Sequence, residues 1–209
     1  MAKSNYLSRI LFIAGVCLCG YACSNYIAFG FPSDRYQATT QHWQQTVKKV
    51  YDSQIGIREQ GINSGPQVED YLRYVNLKQG QPWCAAFICW VFGQAGIKNP
   101  RSGWSPDLFP LSKVIWSKAY TYSNKQTKAG RQPDNNEMIS PRTGDIFGIF
   151  FPEKNRIAHA GFVDQWDGTW LITVEGNTNI DGSREGDGVY KKRRAVKTIF
   201  RVARYIGLP

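Results

Sequence analysis

Apolar positions recur at helical spacing in three stretches of the N-terminal half. In QHWQQTVKKVYDSQIG, Trp43, Val47, Val50 and Tyr51 fall on one helical face. A break rich in Gly, Asn and Ser, residues 61–65, precedes a second helix. It opens at Pro66, a residue suited to a first turn, and carries Val68, Tyr71, Leu72 and Val75 as its stripe. The third stretch, PWCAAFICWVF closed by Gly96, is apolar nearly all round, the pattern of a central buried helix. From Lys98 to Arg142 the pattern loosens. Ser105-Pro106-Asp107 is expected to start a short helix bearing Leu108, Leu111, Ile115 and Trp116, and residues 123–140 form a polar surface loop. Alternating and β-branched residues then predict strands over 145–151, 157–165, 170–175, 189–194 and 199–205, separated by Gly, Asn and Asp turns. Helices followed by strands predict an α+β fold in which N-terminal helices pack on one antiparallel β-sheet.

The first thirty residues stand apart from this pattern. Lys3 and Arg9 are the only charges before Asp34, and ILFIAGVCLCGYAC has the length and character of a signal-peptide core. Small-x-small pairs at Gly20 and Ala22, or Ala28 and Gly30, are candidate cleavage sites, and Cys23 is a candidate lipidation site. The uncharged run is also long enough for a retained anchor. The expected organisation is therefore 1–30 as signal peptide or membrane anchor and 31–209 as one domain. The expected location is exported, periplasmic or extracellular, with membrane anchoring or lipoprotein processing left open. The chain of 209 residues has 42% hydrophobic residues, enough for a packed core, and a net charge of +10. That surplus favours anionic partners without choosing among them. Export and the lack of a nucleic-acid motif count against nucleic acid.

Setting the leader aside leaves Cys84 and Cys89 as the thiols of the domain. Five positions along one helix are about 500° of rotation, so the two face different directions and a disulfide between them would be strained. A free thiol in an exported domain points to a reactive role. Cys84 lies in the first turn of the central helix, where the helix N-terminus stabilises a thiolate. His159 lies in a strand and Glu175 ends the next, with Asn177 two residues on. With a period of two, Glu175 and Asn177 share a face, and either can stand beside the His159 ring. This is the nucleophile, base and orienter pattern of cysteine hydrolases.

Four segments occur in order: Gln81-Pro-Trp-Cys-Ala-Ala-Phe-Ile, Gly144-Asp-Ile, His159-Ala-Gly-Phe-Val and Val174-Glu-Gly-Asn-Thr. Together they resemble the CHAP family, the cysteine, histidine-dependent amidohydrolases/peptidases of the wider NlpC/P60-like, papain-related group. The stretch from Arg58 to Leu72 resembles bacterial and phage members as well, so the resemblance runs from about Val50 to Tyr205. It implies a papain-like fold, cleavage of peptidoglycan amide bonds, Cys84 as nucleophile, His159 as base, Glu175 as orienter and Asn177 assisting. The muramoyl–L-alanine bond and a stem or cross-link peptide bond are both open as targets. The Cys84 backbone N–H is a natural oxyanion donor, with Gln79 and Gln81 as candidates for the second.

Other features carry weaker expectations. Cys89 is expected in the core, and His42 on a helix surface. Asn177 to Gly182 faintly resembles a calcium loop, but Gly188 stands where a bidentate acid is needed, so no metal and no cofactor is expected. Lys191, Lys192, Arg193, Arg194, Lys197, Arg201 and Arg204 crowd the last strands without one acid. They suggest a basic face that attracts anionic wall polymer or phospholipid. The competing expectation to an enzyme is a catalytically silent wall- or membrane-tethered binding module using that face.

Overall fold

The computed structural model describes residues 32–118, 139–180 and 186–207. The expected leader with Cys17, Cys19 and Cys23, most of the loop expected over 123–140, and Asp181 and Gly182 lie outside the described residues. No helix among the described residues is long and apolar enough to cross a membrane.

The helices are α1 (Pro32–Asp52), α2 (Pro66–Tyr74) and α3 (Cys84–Gln94). The strands are β1 (Val114–Ser117), β2 (Ile146–Phe151), β3 (Arg156–Trp166), β4 (Trp170–Thr178), β5 (Gly188–Ala195) and β6 (Arg201–Ala203). They form one sheet in the order β1-β6-β2-β3-β4-β5, every neighbouring pair antiparallel. The α+β expectation of helices on one antiparallel sheet therefore holds among the described residues.

α3 forms the centre because its side chains are apolar on every side, and Cys84 to Cys89, Val91 and Phe92 are all buried. Phe87 and Phe92 meet Phe162 of β3 edge to face, with ring centroids 6.1 and 5.2 Å apart. Burial of each such ring contributes about 1.5–3 kcal/mol. Gly96 ends the helix at φ 73°, and the Ile97 and Gly96 amides bond back to Phe92 and Gly93 carbonyls. This is a Schellman closure, which needs the left-handed residue that Gly supplies without strain. Val47 and Tyr51 of α1 and Val68, Tyr71 and Leu72 of α2 complete this core. A smaller cluster holds Trp116, Phe147, Val163, Leu171, Ile199 and Val202. Val174 belongs to the core under α3 and Leu171 to the smaller cluster, so alternation puts Thr173 and Glu175 on the side of Leu171.

The segment after Ser105 differs from its expected form. The helix is a 3-10 turn, Ser105–Leu108, that stops before Pro110, and Leu111 is 80% exposed. Ile115 and Trp116 lie in the edge strand β1, paired with β6. Pro110 cannot donate within a helix, and β-branched Val114 and Ile115 find hydrogen-bond partners on the open edge of the sheet. The last predicted strand is likewise shorter, because a 3-10 turn, Val196–Thr198, precedes β6.

Candidate active site

Cys84 is the first residue of α3, and two polar groups hold the residue before it in place. The Trp83 backbone N–H donates to Asn177 Oδ1 at 3.2 Å, and its indole Nε1–H donates to Glu59 Oε1 at 2.7 Å. Glu59 also accepts from the Asn63 N–H at 2.8 Å, and Asn177 Nδ2 donates to Asn63 Oδ1 at 3.0 Å. Gly176 completes the fit. A Cβ there would lie 2.6 Å from the Trp83 ring and 2.8 Å from Phe87, so only Gly lets α3 approach β4 this closely.

His159 Nε2 and Glu175 Oε2 are 2.8 Å apart. The other ring nitrogen, Nδ1, is left for Cys84, whose thiol interacts with the His159 side chain and with the Ala160 backbone N–H. Between the two strands, Gly161 opens the path: a Cβ there would meet Glu175 Cγ at 2.8 Å. Glu175 is fully buried, and its carboxylate is saturated by donors. Arg194 grips it bidentately, Nε to Oε1 and Nη2 to Oε2, both at 2.5 Å, and the Thr173 hydroxyl donates to Oε1 at 2.5 Å. A fork of this kind is the strong geometry for a buried carboxylate.

The electrostatics follow from these contacts. Burial alone would raise the Cys84 thiol, but the His159 ring, the Ser105 hydroxyl and the Ala160 N–H outweigh it and bring the thiol below its ordinary value. Burial alone would lower His159, but Cys84 and Glu175 push it up to about 9. Burial would raise Glu175, yet Arg194 and His159 hold its carboxyl well below the usual range. Shifts of opposite sign on an interacting thiol and imidazole favour the thiolate–imidazolium pair. Cys89 behaves otherwise. It is free and buried, its Sγ lies 3.5 Å from the Ser102 carbonyl, and burial pushes its thiol up to about 11.

The structure thus brings together Cys84, His159 and Glu175 of the expected residues, and places Asn177 elsewhere. The expected period of two fails after Glu175, where the β4–β5 register shifts and Asn177 takes φ 54°. Its side chain consequently turns to Trp83 and not to His159. Gln79 and Gln81 are both exposed. Three contributors were not singled out from sequence. Arg194 was one cation in a basic run, Thr173 an ordinary strand residue, and Ser105 a helix start. Ser105 is buried with its Oγ 3.5 Å from the Cys84 Sγ.

The match of the CHAP domain family model to residues 76–177 spans Cys84, His159, Glu175 and Asn177. The chain carries a CHAP domain. No curated protein and no solved structure is similar enough to the chain to be matched. The CHAP domain implies amidase or peptidase activity. Its matched span ends at Asn177, so β5, which supplies Arg194, and α1 lie beyond it.

Five cations of the basic C-terminal run have partners within the fold of this CHAP domain. Arg194 is spent on Glu175, and Lys191 on Asp164 at 2.7 Å. Lys192 bonds the Thr178 hydroxyl and the Asn179 carbonyl, and Arg193 stacks on Trp170. Buried Arg204 pairs with Asp145 at 2.7 Å and fastens β6 beside β2. An acid-free stretch of sequence meets its acids across the fold. No cluster that could hold a metal ion occurs among the described residues.

Proposed function

We propose that the chain is an exported cysteine amidohydrolase or endopeptidase that cleaves amide bonds of peptidoglycan. The observation that carries this reading is the hydrogen-bonded series His159, Glu175, Arg194, whose imidazole interacts with the Cys84 thiol at a helix start. In the proposed cycle the Cys84 thiolate attacks the amide carbonyl carbon, and the Cys84 backbone N–H stabilises the oxyanion. His159, held protonated by Glu175, gives its proton to the leaving amine as the C–N bond breaks. Water, deprotonated by the now neutral His159, then cleaves the thioester and restores the thiol pair. The orienting role belongs to Glu175, and Asn177 serves through the Trp83 backbone. The apolar leader supports export, and the CHAP family supports the wall substrate.

Purified peptidoglycan incubated with the enzyme should release soluble fragments, and Cys84→Ala should release none. Mass spectrometry of the fragments then separates the two bond classes. Free stem peptides with an intact amino-terminal alanine mark a muramoyl–L-alanine amidase, whereas shortened stems mark an endopeptidase. Wild-type release no greater than that of Cys84→Ala would refute the proposal.

A further inference from the structure

The wall beside Cys84 carries an aromatic ring and a cation that the chemistry of Cys84, His159 and Glu175 does not use. Ser105, against the Cys84 sulfur, is preceded by Trp104, a large ring left 50% exposed. The Arg156 guanidinium lies over that indole, 3.9 Å from its centroid. Arg156 opens β3 three residues before His159. At about 3.3 Å per strand residue, the two Cα atoms are separated by roughly 10 Å. The 3-10 turn starting at Ser105 packs on β3, which joins the ring and the cation to the same surface as the site.

Two properties separate this pair from an ordinary surface stack. Arg156 donates one hydrogen bond, to the adjacent Ile157 carbonyl at 3.1 Å, and has no carboxylate partner among the described residues. A guanidinium offers a planar fork of five donors that matches a carboxylate, and stacking on an indole fixes its plane while its edge stays free. A span of roughly 10 Å is also the length of about three extended residues. A peptide that runs from His159 back along β3 can therefore bring a carboxylate within three residues of the scissile bond to Arg156.

We propose that Trp104 and Arg156 form a binding subsite for a carboxylate of the peptide being cleaved. This rests on the reading of the chain as a hydrolase of peptidoglycan stems, which are short peptides with carboxylates both along the chain and at the carboxy terminus. The indole supplies an apolar platform for the peptide, and the guanidinium selects its charge.

The test measures binding to the Cys84→Ala protein, which separates recognition from turnover. The probes are a synthetic stem tetrapeptide with all carboxylates free, one amidated at its internal carboxylate and one amidated at its carboxy terminus. One of the two amidations should weaken binding by about tenfold, the scale of a lost charge-assisted bond, and which one identifies the carboxylate. Adding Arg156→Gln should remove that difference, and Arg156→Lys should keep part of it as a point charge. Equal binding of all three peptides, or a difference that persists in Arg156→Gln, would overturn the subsite. Wild-type cleavage of sacculi is followed in parallel. Intact cleavage with no carboxylate preference overturns the subsite alone, and a preference without cleavage overturns the hydrolase reading alone.

Discussion

Glu175 keeps its charge in a fully buried position because a guanidinium fork and an imidazole share it. The same charge keeps His159 protonated up to about 9. Activity needs the imidazolium beside the thiolate, so kcat/KM should fall as pH rises through that value. Glu175→Gln keeps the size and removes the charge. It should cut turnover by about 10²–10³-fold, within the range of a disabled acid–base group, and move the alkaline limb to lower pH. An unmoved alkaline limb would show that Glu175 does not act on His159. Stability should respond as well. The folded Glu175 titrates below its ordinary 4.5, so its contribution is complete above that value and fades as pH falls. Arg194→Met leaves a buried carboxylate short of its main partner and should cost about 3–5 kcal/mol in urea unfolding. Adding Glu175→Gln to Arg194→Met should recover part of that loss, because the pair acts as a unit.

At the scale of elements, the site depends on how α3 meets β4. Gly176→Ala would force a methyl into Trp83 and Phe87, at a cost of about 1–3 kcal/mol for overpacking. It should also displace the start of α3, so kcat should fall further than the loss of stability explains, with the pH profile unshifted. Asn177→Ala should show a milder form of the same signature, since it frees the Trp83 N–H and does not touch His159. An alkaline limb moved by Asn177→Ala would return the orienting role to that residue. The helix–strand order, Cys84 at a helix start and the nearness of His159 to Glu175 were legible in the sequence, because periodicity and local spacing encode them. The position of Asn177 was not, since a register shift breaks the period of two after Glu175. Edge strand β1 was hidden for a related reason: its hydrogen bonds come from β6, far along the chain.

Over the whole molecule, a formal charge of +10 gives little guide to function. Arg194, Lys191, Lys192 and Arg204 look like one basic patch in sequence but meet partners on β3, on β4 and just before β2, which only the folded topology supplies. What the fold concentrates instead is two thiols of opposite character on one helix. Cys84 is lowered by its neighbours and Cys89 is pushed up to about 11. Their reactivity is therefore compared by alkylation with iodoacetamide at neutral pH, followed by peptide mapping and by residual cleavage of peptidoglycan in the same samples. The label should go to Cys84, Cys89 should stay unmodified, and cleavage should fall in proportion to Cys84 labelling. Cleavage that survives complete alkylation of Cys84 would contradict its role as nucleophile.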